Sequence, residues 1–387
     1  MKAIIIGAGI GGLCTSIALR KVGVHTVLFD RRADVHLGGA GIGLGANAVR
    51  ALQMLGAGGE LFDYGKTMSR IQIMTEQGKI LSNAHTAVIS RKYGLDNVNM
   101  DRAKLLKILL RSADRGHPVQ TRKECIGFEQ HPGGVKAWFK DGSSEEGDVL
   151  IAADGLRSTI RRMLLPGTEP QYAGYTCWRS VVPVNPAQAP YDPDAFTETW
   201  GVNGRFGIVP LANDHIYWFA CINAKESDPR LAEYTASDLA QHFRHYHEPI
   251  PRLLAASGNE ALLHHDIMYL PPLRRYAFGR VVLLGDAAHA TTPNMGQGAG
   301  QAIEDAVILA GHIKHTQNVE TALERYNKQR VKRTASITRM SGRIGRIAQL
   351  NRPAAVSLRN AVMPLLPNAF IAWQMEYLYR IRLDGLI

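Results

Sequence analysis

Three short apolar runs in the sequence each end on an acidic residue, Asp30, Asp154 and Asp286. Such runs are typical of buried strands, and a carboxylate at a strand end can accept hydrogen bonds from ligand hydroxyls. After Asp286, the glycines from Gly296 to Gly300 lead into a helical pattern. The N–H groups at a glycine-rich helix start favour negative charge. Together these residues predict a site for a ligand with both hydroxyls and an anionic region.

The beginning of the chain holds the first of these sites. Lys2 to Ile6 is a β-branched-rich run that leads directly into Gly7, Gly9, Gly11 and Gly12, and a helical pattern follows. The GxGxxG spacing permits a tight turn, approach of the backbone to a pyrophosphate and close helix packing. Asp30, at the end of the next strand, is placed to bind an adenosine ribose. This order predicts a dinucleotide site, without distinguishing NAD from FAD.

Other candidates leave alternatives open. The glycine-rich stretch from Gly38 to Gly45 is either a flexible loop or a bare surface for a flat ring or a ribityl chain. Arg102, in the first turn of a predicted helix, opposes the helix dipole. It either meets a phosphate or flavin edge or lies in solvent. Arg157, close to Asp154, is a further candidate.

The spacing of apolar residues predicts the strands and helices that must position these side chains. Hairpins are expected at Arg70 to Ile80 and at Glu124 to Phe139, and the stretch from Tyr172 to Met268 alternates as a mostly antiparallel sheet, hence a second domain. The pattern of residues from Val319 to Arg346 predicts a long basic helix. The tail from Ala354 to Leu386 mixes apolar residues with arginines, and packing on the body is favoured there over contact with a membrane surface.

Composition limits the classes of function. The 387 residues are 45 % hydrophobic and carry a net charge of +11. The basic residues are dispersed, so we expect no nucleic acid partner and favour anionic small ligands. Four scattered cysteines indicate a reducing cytoplasm, and the histidines near His245 have no spacing that predicts a metal site. The sequence lacks a GxSxG nucleophile elbow, which argues against hydrolysis.

Three separated segments carry a family resemblance: the Gly7 to Gly12 turn with Asp30, Asp154-Gly155 with Arg157, and GDAAH…P…GQG around Asp286. Together they resemble the single-component FAD-dependent aromatic hydroxylases, which include para-hydroxybenzoate hydroxylase. The resemblance implies an α/β fold with a Rossmann-type (GR2) FAD-binding domain, an inserted and mostly antiparallel β-sheet substrate domain, and C-terminal helices. The implied boundaries are 1–70, 99–168 and 272–345 for FAD binding, 71–98 and 169–271 for the substrate domain, and 346–387 for a helical tail.

The resemblance also implies roles for individual residues. Those expected to hold FAD are Gly7, Gly9, Gly11, Gly12, Asp30, Arg31, Gly43, Arg102, Ile126, Asp154, Asp286, Gly296, Gly298, Ala299 and Gly300. Pro293 would line the reactive face of the flavin. The segment YAGYTCWR and the later Arg205 and Tyr217 resemble the subgroup of urate hydroxylases, 6-hydroxynicotinate monooxygenases and zeaxanthin epoxidases. Trp178, Arg179, Arg205 and Tyr217 would therefore contact the substrate.

In this family NADH or NADPH reduces the flavin, O2 adds at its C4a atom, and the resulting hydroperoxide hydroxylates an electron-rich aromatic ring. The sequence favours this reaction on a small aromatic or heteroaromatic molecule, by a monomer or homodimer. An FAD-dependent dehydrogenase or reductase on the same scaffold, an epoxidase of a lipophilic substrate and a non-catalytic flavin-bound redox sensor remain alternatives. Halogenation is disfavoured, since no Trp-x-Trp motif is present.

Overall fold

A computed structural model describes residues 1–34, 39–114, 117–184, 191–366, 376–381, 383 and 385–387. Gly38, at the start of the predicted glycine-rich stretch, and much of the predicted tail, including 367–375 and Arg382, lie outside the described residues. The strands are β1 (Lys2–Ile6), β2 (His25–Phe29), β3 (Gly41–Leu44), β4 (Lys66–Thr67), β5 (Arg70–Thr75), β6 (Ile80–His85), β7 (Val98–Asp101), β8 (Cys125–His131), β9 (Gly134–Phe139), β10 (Ser144–Gly147), β11 (Val149–Ala152), β12 (Gln171–Pro183), β13 (Ala195–Gly201), β14 (Gly204–Leu211), β15 (His215–Asn223), β16 (Leu263–Tyr269), β17 (Ala277–Phe278) and β18 (Val281–Leu283).

The helices are α1 (Ile10–Lys21), α2 (Ala46–Leu55), α3 (Gly59–Tyr64), α4 (Ala87–Tyr93), α5 (Arg102–Ala113), α6 (Thr159–Leu164), α7 (Pro229–Ala232), α8 (Ala236–His242), α9 (Ile250–Ala255), α10 (Asp286–His289), α11 (Gly298–Lys314), α12 (Val319–Ala348) and α13 (Pro353–Val362). Short 3-10 turns η1 (Pro293–Met295) and η2 (Met363–Leu365) precede α11 and follow α13. Among the described residues, every helix is too short or too polar to cross a bilayer.

The five-stranded sheet, in the order β17-β18-β11-β1-β2, organises the first part of the site. Its strands β2, β1, β11 and β18 run parallel. They are almost wholly apolar because both faces are covered. Helix α1, which packs on α11, lies on one face, and β9 and β10 of a three-stranded sheet pack on the other, where Gly147 meets Ile4. Parallel strands bring their carboxyl ends to one edge, so Asp30, Asp154 and Asp286 lie along the same edge. The predicted Rossmann-type fold is confirmed.

The seven-stranded sheet, in the order β16-β12-β15-β14-β13-β5-β6, provides the second part. All its pairs are antiparallel except β13 with β5. It draws strands from both segments expected to form the substrate domain, whose exact boundaries stay predictions. Helices α8 and α9 cover one face around Trp218 and Phe243, while the other face turns toward the carboxyl edge of the five-stranded sheet.

Several local predictions agree with the structure and one does not. The two expected hairpins form as β5–β6 and β8–β9, and the long basic helix is α12. Asp101 caps α5, since its carboxylate accepts hydrogen bonds from the N–H groups of Ala103 and Lys104 at 2.7 and 3.1 Å. The stretch from Gly41 to Leu44 is strand β3, which pairs with β7, so the flexible-loop alternative is wrong. The backbone hydrogen bonds of β3 are therefore satisfied by the sheet rather than by solvent. The other alternative, a bare backbone surface for a ligand, stays a prediction, since Gly41 and Gly43 line a cavity.

Candidate active site

A cavity of about 980 Å³ lies between the carboxyl edge of the five-stranded sheet and the inner face of the seven-stranded sheet. Its walls bring together residues that are almost 300 positions apart, among them Gly9, Arg205 and Gly298. This volume is at the upper end of the range of small-molecule sites. The cavity has a glycine-rich end with acids and a second end that is largely apolar.

The Gly7 to Gly12 turn forms the wall at the first end. Gly7 has φ +105° and a side chain there would meet the carbonyl oxygen of Ala153 at 2.3 Å, so only glycine fits. Gly7, Gly9 and Gly11 line the cavity. Gly12 does not, because it packs on the Gly7 carbonyl, which a Cβ would approach to 1.8 Å. Gly12 thus shapes the turn without facing the ligand space, unlike the direct contact that we expected.

Asp30 is fixed at the end of β2 by two backbone donors. Its carboxylate accepts hydrogen bonds from the N–H groups of Ala8 at 2.8 Å and Arg32 at 2.9 Å. The first of these ties the end of β2 to the glycine turn. Asp30 and Arg31 both line the cavity, so a ligand hydroxyl can reach a carboxylate whose position is already set.

Asp154 lies deeper at the same edge, after β11. One carboxylate oxygen accepts hydrogen bonds from Thr159 N–H at 2.9 Å and Ile160 N–H at 3.4 Å, at the start of α6. The other oxygen is buried with no partner in the described part of the chain. Burial raises the pKa of Asp154, against the hydrogen bonds that it accepts. Arg157 also lines the cavity nearby.

Asp286 and Arg102 form the most polar part of the wall. Asp286 is the first residue of α10 and its side chain is open to the cavity. Within the described residues, no hydrogen bond reaches its carboxylate. Burial inside the protein raises the pKa of Asp286, and the nearby His289 and Arg102 oppose that shift. Asp286 is exposed to the cavity, so ligand hydroxyls can donate hydrogen bonds to its carboxylate.

The start of α11 completes this end. Gly296, Gly298 and Ala299 line the cavity, and Pro293 in η1 lies beside them. The side chain of Gln297 does not cap the helix, so the first N–H groups of α11 are left for a ligand. Gly300 faces away from the cavity, close to Asn47 and the side chain of Gln297. Gly300 is thus not part of the cavity wall, where we expected it, because the helix turns it inward.

At the opposite wall, alternation along the strands decides which side chains reach the cavity. Odd-numbered residues of β12 and β15, such as Arg179, Tyr217 and Phe219, line it. Even-numbered residues point to the covering helices. Trp178 is one of these: it is fully buried and stacks between Tyr234 and His264. The prediction that Trp178 contacts the substrate is therefore wrong.

Ile126 is also misplaced by the sequence prediction. Its side chain is 53 % exposed on β8 and is not part of the cavity wall, where its neighbours Glu124 and Cys125 lie instead. A β-bulge between Cys125 and Gly127 shifts the register at this point. Gly43, by contrast, lines the cavity on β3, beside Asn99.

Arg205 is the centre of a buried polar cluster. One guanidinium nitrogen pairs with the Glu198 carboxylate at 3.0 Å, and another donates to the Asn294 side chain next to Pro293. Arg205 also lies over the ring of Tyr175, 5.1 Å from its centre, and the Tyr175 hydroxyl donates to Asn294 at 3.0 Å. The cluster therefore links the seven-stranded sheet to the turn before α11. Sequence reasoning found Arg205 and missed Glu198 and Asn294.

Tyr217 and Arg179 also line the cavity, on β15 and β12. The Tyr217 ring packs against the backbone of Gly41, where a Cβ would come within 2.5 Å of it. Burial raises the pKa of Tyr217, with Arg179 opposing, so its phenol stays protonated at neutral pH. Arg179 and Arg102 both line the cavity, and the pKa of Arg102 is lowered by burial first and then by the positive charge of Arg179 among others. The Nε of Arg179 donates to Cys177 Sγ at 3.4 Å.

The remaining lining residues are mostly apolar. They come from β5, β13 and β14 on the sheet side and from α12 and η2 on the other side, and include Ile71, Ile73, Phe196, Trp200, Val209, Ile344, Ile347, Met363 and Leu366. This part of the wall was not foreseen from the sequence, because its segments lie far apart in the chain.

A buried ionic network lies behind the polar end. Arg330 of α12 pairs with Asp305 at 2.5 Å and Glu304 at 2.7 Å, and all three are fully buried. Asp305 also accepts a hydrogen bond from Gly285 N–H at 2.9 Å and contacts His289 at 2.6 Å. The network thus fixes the turn that carries Asp286 relative to α11. The GDAAH segment is therefore joined to the acids of α11 by direct hydrogen bonds from Gly285 and His289 to Asp305.

The fold and the cavity define a dinucleotide-binding enzyme of the Rossmann type. Residues 1–341 match the FAD binding domain family, and the chain belongs to this family. It is similar to the aurachin C monooxygenase/isomerase of Stigmatella aurantiaca, with 35 % identity over 95 % of this chain and 94 % of the relative. It is 33 % identical to the FAD-dependent urate hydroxylase of Klebsiella pneumoniae (87 % and 88 % covered). It is 30 % identical to the 2-heptyl-3-hydroxy-4(1H)-quinolone synthase of Pseudomonas aeruginosa (95 % of each).

Solved structures agree with this assignment. The crystal structure of K. pneumoniae HpxO with FAD and uric acid superposes with a TM-score of 0.89 at 30 % identity, covering 97 % of this chain and 95 % of that one. The protein is thus an FAD-dependent monooxygenase of the aromatic hydroxylase type. The resemblance read from the sequence is confirmed, and FAD is the cofactor. The free helix start, the glycine turn and the unpartnered carboxylate of Asp286 fit its phosphates and hydroxyls.

Proposed function

We propose that the enzyme uses NADH or NADPH and O2 to hydroxylate a neutral, electron-rich aromatic or heteroaromatic ring that carries an apolar substituent. The observation that carries the proposal is the shape of the cavity, in which one space joins a cofactor end to an apolar end. A ring placed between them would lie beside Pro293. FAD supplies the redox chemistry, in which NAD(P)H provides electrons and O2 provides the inserted oxygen.

The chain's own residues would bind and orient the reactants. Gly9, Gly11 and Asp30 would hold the adenosine and pyrophosphate end of FAD, and Asp286 with Arg102 the ribityl end. The N–H groups at the start of α11 would stabilise negative charge at the flavin ring. Tyr217 can donate or accept a hydrogen bond at the edge of the substrate ring. The apolar lining would exclude water from the reacting centre.

The pairing of Arg205 within the protein favours a neutral ring. Arg205 is the cation that a urate-like anion would use, but in this chain Glu198 pairs with it inside the protein. The pair has no net charge, and separating it to admit an anion would leave a buried carboxylate unpaired. The surrounding apolar side chains can instead bury an aliphatic substituent at a gain of roughly 0.8 kcal/mol per CH₂.

The relatives support both a polar and an apolar substrate class. The name of the Pseudomonas relative describes a quinolone ring with a heptyl chain, and that of the Klebsiella relative describes urate. In this chain, the Glu198–Arg205 pair and the lining of Ile71, Ile73 and Ile344 favour the apolar substrate class, of which the alkylated quinolone is an example.

The test is product analysis with isotopic oxygen. The purified yellow protein is incubated with NADH or NADPH under ¹⁸O2, with a 2-alkyl-4-quinolone, a plain phenol and urate in parallel. We expect one ¹⁸O atom in the product of the alkylated ring, with faster NAD(P)H oxidation than for urate. Shortening the alkyl chain should raise KM, since each CH₂ contributes to binding.

Two results would contradict the proposal in different ways. An oxidised product that contains no ¹⁸O would point to a dehydrogenase or reductase on the same scaffold. Preferred turnover of urate would retain the monooxygenase but overturn the assignment of a neutral substrate.

A further inference from the structure

Helix α13 and the turn η2 expose an apolar surface. Leu358, Val362, Leu365 and Leu366 are 66, 46, 79 and 42 % exposed, and Ile347 at the end of α12 is 47 % exposed. We call these five residues the C-terminal patch. Of the exposed residues between 354 and 366, Ser357 is the polar one and the rest are apolar. A helix that faces water normally exposes polar side chains, so this surface is suited to a non-aqueous contact.

The patch is continuous with the cavity. Ile347 and Leu366 belong to the patch and also line the cavity, and Met363 lines it with them. The apolar end of the cavity therefore adjoins the patch.

The segment of the chain that carries the patch is basic. Between Glu324 and Glu376 the sequence contains no acidic residue, whereas Arg343, Arg346 and Arg352 are exposed close to the patch in the chain. A basic rim around an apolar centre matches a bilayer with anionic headgroups. The net charge of +11 adds a long-range attraction of the same sign.

The patch is also held in place. Arg359, on the buried side of α13, donates to the carbonyl oxygen of Trp200 at 2.8 Å, and its guanidinium lies over the Trp200 ring, 5.5 Å from the centre. It reaches the carbonyl oxygens of Ile347 and Ala348 at 3.4 Å each. These contacts fix α13 to β13 and α12, so the exposed face keeps its orientation.

We propose that the C-terminal patch docks on an anionic membrane surface. Its leucines would enter the boundary between headgroups and acyl chains, and the arginines would contact phosphates. A second copy of the chain is the less suitable occupant, because a two-fold contact would bring the same basic rims together. That the docked enzyme takes its lipophilic ring from the bilayer rests on the proposed function, whereas the docking itself does not.

The test is co-sedimentation of the FAD-loaded enzyme with vesicles, without NAD(P)H or substrate. Vesicles of phosphatidylcholine alone are compared with vesicles that also contain phosphatidylglycerol. We expect binding to the anionic vesicles that weakens with salt, and a roughly tenfold or greater loss in the Leu358→Ser/Leu365→Ser variant. Arg346→Gln/Arg352→Gln should weaken binding to anionic vesicles in the same direction. Met163→Ser and Arg244→Gln, which change an exposed apolar and an exposed basic residue elsewhere, are the matched controls.

Each contrary outcome is distinct. Failure of the wild-type enzyme to bind anionic vesicles, or equal binding by the leucine variant and the wild type, overturns the proposal. A wild-type dimer that becomes monomeric in the leucine variant, seen by light scattering without lipid, would assign the patch to a second copy instead. FAD content and melting temperature show whether each variant is folded. Vesicle binding without hydroxylation would contradict only the proposed function.

Discussion

At the residue scale, the charge of Asp286 affects both the stability of the folded protein and its binding of FAD. Because burial raises the pKa of Asp286, the folded protein binds a proton at this carboxyl more tightly than the unfolded chain does. Its contribution to stability is therefore greatest below the unfolded pKa of about 4 and is lost as the pH rises through the folded pKa. At neutral pH the ionised carboxylate therefore favours folding less than the protonated form does, an effect that solvent in the open cavity weakens because Asp286 is exposed there.

We predict that Asp286→Asn raises the melting temperature of the FAD-free protein at pH 7 and weakens FAD binding, because the amide removes the charge and one pair of acceptor positions. Differential scanning fluorimetry and flavin fluorescence titration measure the two effects. Asp63→Asn, on the exposed surface of α3, is the control and should change neither. Unchanged FAD affinity in Asp286→Asn would show that this carboxylate does not touch the cofactor.

The Arg205–Glu198 pair allows a prediction about specificity. Glu198→Gln leaves the Arg205 charge uncompensated. We therefore expect kcat/KM to rise for anionic aromatic substrates and to fall for neutral ones. Arg205→Ala should abolish the stimulation of NAD(P)H oxidation by substrate while FAD stays bound. Trp178→Phe, behind the same sheet, should leave the ratio of anionic to neutral turnover unchanged. An unaltered ratio in Glu198→Gln would remove the pair from substrate selection.

At the scale of elements, the ionic network between α11 and α12 holds the catalytic turn. Arg330 has two carboxylate partners with no exposure. Taking away this cation leaves the buried Asp305 without an arginine partner, whereas Glu304 keeps Arg333 at 2.9 Å. The pKa of Asp305 and that of Glu304 are depressed, since the attraction of the nearby cations exceeds the penalty of burial. Their stabilisation is thus present above the unfolded pKa and lost on acidification.

We predict that Arg330→Met lowers the free energy of unfolding by about 3–5 kcal/mol at pH 7. Urea unfolding followed by circular dichroism gives the value. Arg339→Met, on the exposed side of the same helix, is the matched control and should cost little. The difference between Arg330→Met and wild type should shrink below about pH 4, where the acids become protonated. A cost that is independent of pH would indicate lost packing rather than lost pairing.

The elements also show what the sequence could and could not predict. The strand–glycine–acid pattern could be predicted because it is local and each residue type has a separate physical role, the glycines in the tight turn and the acid in binding hydroxyls. The error at Trp178 has a physical cause: alternation in β12 predicts two faces, but both faces are buried, so the pattern does not say which one meets the ligand. The partners of Arg330 and the apolar end of the cavity depend on contacts between distant segments, which no local pattern reports.

At the scale of the whole molecule, FAD would bridge the two ends of the cavity, whose walls also pack directly where α1 lies against α11. The adenosine end of FAD would contact the turn at Gly7 and Asp30, and its flavin end the residues from Asp286 to Ala299. A ligand that binds only the folded state stabilises it by mass action, by about 1.4 kcal/mol for each tenfold rise in free ligand above Kd. FAD removal should thus lower the unfolding midpoint of the whole protein.

Fragments of the cofactor can separate the two ends of the site. We predict that ADP, which reaches only the Gly7 to Asp30 end, raises the melting temperature of the FAD-free protein by less than FAD does. In Asp286→Asn the stabilisation by ADP should persist in full, while the extra stabilisation by FAD is reduced, because only the ribityl end has lost a partner. Scanning fluorimetry over a range of ligand concentrations measures both. Equal loss of ADP and FAD stabilisation would mean that the substitution disturbs the fold of the five-stranded sheet, and that the two ends of the cavity do not bind independently.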